Sequence, residues 1–157
     1  MASLVSVNSG AAQHIAGYKP LTGIVKAPVT SAQIDRLGLA GDAICDTKHH
    51  GGADQAIYVY FADDYLWWAN ELSRTIIPGT FGENLTLSGI EGRAVAIGDC
   101  FAIGPVLLEV TYHRIPCMTF AARMGDPMWV KKFHRANRPG AYCRVLSAGT
   151  VEAGMAV

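Results

Sequence analysis

Cys117 closes the segment His113-Arg114-Ile115-Pro116-Cys117, which follows the mostly apolar strand Val106–Tyr112. Pro116 should end that strand, leaving the thiol at its tip, beside two basic side chains and just ahead of a short helical stretch. Positive neighbours favour the thiolate, the form that attacks an electrophile or ligates a soft metal. A buried packing thiol is the alternative reading. A Cys/His nucleophile would also need an Asn or Asp to orient the histidine, and the sequence singles out none.

A second cluster runs from Gly41 to Asp54 and contains Cys45, Lys48, His49, His50, Gly51 and Gly52. Paired glycines permit positive φ and let backbone N–H groups approach a ligand, while Lys and His supply donors to an anion. A tight turn that carries surface histidines reads the same residues equally well. Zinc is not expected, because a closed site needs four ligands in short-spaced pairs and only Cys45, His49 and His50 lie close together. Adjacent histidines on an extended chain also point apart. Thr80-Phe81-Gly82-Glu83-Asn84-Leu85 supplies a further candidate, with Asn84 bonding either local backbone or a ligand.

Charge is segregated along the chain. Thirteen Lys and Arg balance thirteen Asp and Glu, which removes the basic excess that drives nucleic-acid binding. Residues 114–144 nevertheless hold seven bases against one acid, a surplus of +6, while residues 1–113 hold six bases and eleven acids, −5, and Glu152 adds −1. In the basic stretch Arg138, within Asn137-Arg138-Pro139-Gly140, is a candidate for bidentate contact with a phosphate. Lys131, Lys132 and Arg135 read as a solvated helix face or as ligand contacts.

The elements that must position these groups are mostly strands. Seventeen glycines and seven prolines cut the chain into short β-branched or aromatic pieces. Strands are predicted at 4–7, 23–25, 56–60, 84–87, 94–97, 100–103, 106–112 and 142–147, with Gly98-Asp99 joining 94–97 to 100–103 as a hairpin. Several are apolar throughout, as in strands covered on both faces of a closed or nearly closed barrel. Phe61, Tyr65, Trp68 and Leu72 fall on one face of a helix. Asp126-Pro127 reads as the start of another, with Met128, Trp129 and Phe133 inward. Trp67, Trp68 and Trp129 are candidates for a dimer patch or for the core.

Residues 1–157 read as one mostly β domain, of a globular composition that is 50% hydrophobic and 17% charged. No apolar stretch reaches the roughly 20 residues of a membrane span, and no secretory signal is visible at the N-terminus. A cytoplasmic location follows, with the four widely spaced cysteines as thiols.

Taken in order, Thr22-Gly23-Ile24-Val25-Lys26-Ala27-Pro28-Val29, Gly38-Leu39-Ala40-Gly41-Asp42, His50-Gly51-Gly52-Ala53-Asp54-Gln55-Ala56, Phe81-Gly82-Glu83-Asn84-Leu85, Gly98-Asp99 and Arg114-Ile115-Pro116-Cys117 resemble the MOSC domain, named after the C-terminal domain of molybdenum cofactor sulfurase. Arg138-Pro139-Gly140-Ala141-Tyr142-Cys143-Arg144-Val145-Leu146 with Gly149 also fits, so the resemblance covers residues 5 to 155, and it is strongest to small stand-alone bacterial members. It implies a β-barrel-like fold with a few short helices and a functional thiol at Cys117. In relatives similar to the amidoxime-reducing enzymes that thiol ligates molybdenum of a pterin cofactor and the site reduces N-hydroxylated compounds. In the sulfurase context it carries sulfur as a persulfide or serves cofactor delivery.

A soft thiolate suits molybdenum held by dithiolene sulfurs. Lys26, His50, Gly51, Gly52, Asn84, Arg114 and Arg138 are the matching candidates for the phosphate of this small anionic cofactor. The sequence carries neither the N-terminal barrel domain nor the reductase modules found with some relatives, so the resemblance implies a separate redox partner or sulfur-donor protein. A domain that binds some other small anion, independently of Cys117, is the third reading.

Overall fold

A computed structural model describes all 157 residues. Twelve strands and three helices follow one another in the order β1 (Ser3–Ser9), β2 (Gln13–Ile15), β3 (Tyr18–Thr22), β4 (Ala27–Val29), β5 (Ser31–Asp35), β6 (Gly38–Leu39), β7 (Ile57–Phe61), α1 (Ala62–Glu71), β8 (Leu85–Ser88), β9 (Cys100–Ile103), β10 (Val106–His113), α2 (Met118–Met124), α3 (Trp129–Ala136), β11 (Ala141–Ser147) and β12 (Gly149–Glu152). Seven strands form one sheet in the order β4-β1-β8-β7-β11-β10-β9. A second sheet has the order β12-β5-β6, and β2 pairs with β3. The mostly β expectation holds, but the large sheet stays open: β4 and β9 are its two edges, so the barrel is not closed.

All five residues of β7 are buried, and the period-two alternation divides them between two cores. Ile57, Val59 and Phe61 join the aliphatic cluster that includes Ile34 and Val151 of the second sheet. Tyr58 and Tyr60 join the aromatic cluster under the helices, with Tyr65, Trp68, Phe81, Phe120, Trp129 and Phe133. β7 and β8 run parallel, which a tight turn cannot connect, and α1 makes the crossover between them. The tryptophans are used in this packing: Trp68 and Trp129 are 1% exposed, with rings 4.7 Å apart.

Two predicted strands are absent. Residues 23–25 lie beyond the end of β3, where Gly23 passes so close to the 40s loop that a Cβ would sit 2.0 Å from the Ala43 carbonyl oxygen. There the Gly23 carbonyl accepts from Lys26 Nζ. Residues 94–97 do not pair with 100–103, because the Asp99 carboxylate takes the Ala96 N–H and folds that stretch into a turn. The hairpin is instead β9–β10, with Ile103 opposite Val106. Met128, expected inside, is 51% exposed. The helix starts at Trp129 with Met128 as its N-cap, two residues later than Asp126-Pro127 predicts; the Asp126 carboxylate instead accepts from the Met128 N–H at 2.8 Å in the preceding turn, and Lys131, Lys132 and Arg135 face solvent.

Candidate functional site

Cys117 sits where the chain leaves β10 and enters α2. It is half-buried on the wall of a cavity of about 110 Å³, lined also by Lys26, Asp42, Cys45, His50, Gly51, Tyr58, Gly82, Asn84, Arg114 and Tyr142. The wall is assembled from five separate stretches of chain, and the register of the large sheet sets two of its side chains side by side. Tyr142 of β11 is opposite Tyr58 of β7, and their rings are 5.1 Å apart.

Burial pushes the Cys117 thiol up, but a hydrogen bond from His50, the Phe120 amide and the charges of Arg114 and His50 outweigh it, leaving a pKa of about 6 against an ordinary 9.0. At neutral pH the group is therefore mostly thiolate. The Tyr142 hydroxyl lies 3.5 Å from His50 Nδ1, and burial raises the Tyr142 pKa, so the phenol is neutral beside the ring.

Arg114 is 5% exposed. Its guanidinium carbon lies 3.9 Å from the Phe120 ring centre and 4.8 Å from that of Tyr58, two cation–π contacts. One guanidinium nitrogen donates to the Phe81 carbonyl. Nε is buried without a partner, and no carboxylate of the protein lies within 4 Å of the group. The positive charge of the cavity is thus held by aromatic faces, a carbonyl and the neighbouring Cys117 thiolate, with no carboxylate paired to it.

Asp42, which the sequence offers only within Gly38-Leu39-Ala40-Gly41-Asp42 and without a role, organises another part of the wall. Its Oδ1 accepts from Lys26 Nζ at 2.6 Å and from the Gly10 N–H at 2.9 Å, and its Oδ2 accepts from Asn84 Nδ2 at 2.9 Å. Asn84 Oδ1 in turn accepts the Tyr58 N–H at 3.1 Å. Lys26 and Asn84 therefore line the cavity but are already engaged, Lys26 with only 7% of its side chain exposed.

The structure brings Lys26, His50, Gly51, Asn84, Arg114 and Cys117 to one cavity and leaves out two candidates. Gly52 lies just outside and starts a short turn, its carbonyl accepting from the Gln55 N–H. Arg138 is held elsewhere, paired with Asp64 and lying 4.7 Å from the Trp67 ring centre. Gly51 has φ +77° and a Cβ there would meet Ile44 at 2.9 Å, so this position needs glycine on both counts. His49 turns outward to Asp46, away from His50, and nowhere do three His, Cys, Asp or Glu side chains gather as a metal cluster.

Residues 46–157 match the family model of the MOSC domain. The chain is 38% identical over 155 residues to the uncharacterized protein YflK of Bacillus subtilis, an alignment spanning 97% of this chain and 70% of that one. A reductase of Gibberella moniliformis is 34% identical over 118 residues, 73% of this chain but 21% of the reductase. The crystal structure of YiiM from Geobacillus stearothermophilus superposes with a TM-score of 0.80 at 29% identity, covering 99% of this chain and 73% of that one. No helix is long and apolar enough to cross a membrane. With the open β fold, the thiol at the end of β10 and the family match in agreement, the chain belongs to the MOSC domain family.

Proposed function

We propose that this protein binds a molybdenum pterin cofactor at the Cys117 cavity, with the thiolate as the protein's ligand to the metal. It would then take part in reducing N-hydroxylated compounds, drawing electrons from a separate donor protein. The observation that carries this reading is a half-buried thiol held at a pKa of about 6 on the wall of a cavity that also contains the Arg114 guanidinium. The residues present fit the group. A single thiolate without further clustered ligands suits a metal whose remaining donors arrive with the cofactor. The buried, unpartnered Nε of Arg114 suits an anionic phosphate.

When bound, the cofactor supplies a metal centre that exchanges electrons with the substrate. The protein's own groups do the rest. His50 beside Cys117 keeps the sulfur deprotonated, Arg114 offsets negative charge, and the Asp42 network holds Lys26 and Asn84 in place on another part of the wall. A reductase among the relatives supports a redox role, and four free thiols suit the reducing cytoplasm.

The half-buried Cys117 thiol, open to the cavity, favours a second reading, in which it carries sulfur as a persulfide or serves cofactor delivery without turnover. Protein expressed in cofactor-competent cells and analysed for metal tests both. Molybdenum near one per chain, lost in Cys117→Ser, supports the first. A persulfide on Cys117 without metal supports the second. Protein free of both, with Cys117→Ser indistinguishable from the parent, rejects them.

A further inference from the structure

Cys45 and Cys117 are 72 positions apart in sequence yet line the same cavity. Both are free, Cys45 exposed and Cys117 half-buried. Cys45 lies in residues 42–46, a stretch with neither helix nor strand. That stretch is tied at Asp42 by its carboxylate network, at Ala43, whose N–H donates to the Gly10 carbonyl, and at Asp46, whose carbonyl accepts the His50 N–H, the last two each at 2.9 Å. Between these ties the Cys45 thiol has no hydrogen-bond partner, so nothing holds its side chain away from the cavity. The other two cysteines are elsewhere: Cys143 is buried in the aliphatic core and Cys100 is on the edge strand β9.

We propose that Cys45 is the resolving thiol for Cys117, making the cavity a dithiol site that peroxides oxidise to an intramolecular Cys45–Cys117 disulfide. In the first step the Cys117 sulfur attacks one oxygen of hydrogen peroxide. An S–O bond forms, the O–O bond breaks, and hydroxide takes a proton and leaves as water. In the second step the Cys45 sulfur attacks the sulfur of the resulting sulfenic acid. An S–S bond forms, the S–O bond breaks, and the departing hydroxide leaves as water with the Cys45 proton. The two thiols together lose two electrons and two protons, and the peroxide is reduced to two waters.

Disulfide geometry requires Cα atoms roughly 4.4–6.8 Å apart. The disulfide therefore requires residues 44–45, which make no hydrogen bond, to bring the Cys45 sulfur to Cys117 while Asp42, Ala43 and Asp46 keep theirs. The product removes from the cavity the thiolate on which metal ligation or sulfur transfer would depend, and a dithiol reductant restores it.

The test uses the purified, reduced protein treated with hydrogen peroxide, followed by thiol titration, intact-mass measurement and peptide mapping. The titre should fall from four thiols to two, the mass should drop by two hydrogens, and the crosslinked peptide should join Cys45 to Cys117, reversibly with dithiothreitol. In Cys45→Ser, an exchange at an exposed site, Cys117 should instead accumulate as a dimedone-reactive sulfenic acid and then as sulfinic acid. The inference is overturned if wild-type Cys117 stays reduced, pairs with another cysteine, or reaches sulfinic acid while Cys45 remains alkylatable. None of these readouts involves molybdenum, so failure of the cofactor reading and failure of this one are separately visible.

Discussion

Replacing His50 with alanine asks whether the imidazole is what keeps Cys117 ionised. Burial alone would put the thiol above its ordinary 9.0, yet it lies at about 6, and His50 is the first of the groups that lower it, through both a hydrogen bond and its charge. The variant retains the burial, the Phe120 amide and Arg114, so the pKa should rise by about two units, to about 8. At pH 6 the thiolate fraction then falls from about one half to about one hundredth. A more basic thiolate is also a better nucleophile, and a Brønsted slope of about 0.45 over two units returns about eightfold in rate.

The two effects act oppositely and give a crossing. Alkylation of Cys117 by iodoacetamide should be about sixfold slower than wild type at pH 6 and about sevenfold faster at pH 9. Near neutrality the rates should nearly coincide, so a measurement there alone would miss the change. The assay is the second-order rate of Cys117 modification across this pH range, read on its tryptic peptide by mass spectrometry. Two profiles that overlay at every pH would refute the assignment of His50 as the group that sustains the thiolate.

Two further substitutions probe the scaffold. Glu83 is fully buried, and its Oε1 accepts from the Gly79 N–H at 2.6 Å, the Tyr65 hydroxyl at 2.7 Å and the Thr86 hydroxyl at 2.8 Å. Glu83→Ala should therefore cost about 3 kcal/mol or more in urea unfolding, since it leaves buried donors without an acceptor. Burial raises the Glu83 pKa above its ordinary 4.5, so ionisation opposes folding and stability should decline as pH rises from 4.5 through the folded-state value. Glu83→Gln should flatten that decline, and an unchanged pH dependence would show that Glu83 is not its source. Lys26→Met leaves the Asp42 carboxylate buried without its cation, at a cost of about 3 kcal/mol, and the Lys26→Met/Asp42→Asn pair should recover most of it. Equal melting temperatures for Lys26→Met and wild type would mean that the ion pair does not hold the loop.

Legibility of the fold followed burial. β10 reads plainly in the sequence because Val106–Val110 is apolar at every position but Glu109, and α1 because Tyr65 and Trp68 recur at helical spacing on one buried face. β3, β4 and β5 escaped because they are three to five residues long and mostly exposed. What makes β5 a strand is its ladder with β12, residue 34 pairing with residue 149, which leaves no local pattern. At the site, Cys117, His50 and Arg114 were visible through side-chain chemistry and short spacing. Asp42 was not, since its role comes from Lys26, Asn84 and Gly10 converging on it. Tyr142 likewise acquires meaning only through its register against Tyr58.

The segregated charge explains why Arg138 was a poor guide and Arg114 a good one. Bases of the 114–144 block fold back onto acids of the preceding block: Arg138 onto Asp64, and Arg144 onto Asp54 and Glu109. Lys132 takes Asp126, the one acid within its own block. The polarity along the chain is thereby cancelled only in part, since Arg114, Arg123, Lys131 and Arg135 keep no carboxylate partner, and a basic residue in the sequence is evidence of an anion site only if folding leaves it without a carboxylate. Lys131 and Arg135 meet that condition in water, where solvent screens them. Arg114 meets it in the interior, with two aromatic faces in place of a carboxylate. Burying a guanidinium is costly; the neighbouring Cys117 thiolate offsets part of that cost, and an anionic ligand in the cavity would offset more of it where the protein's carboxylates do not.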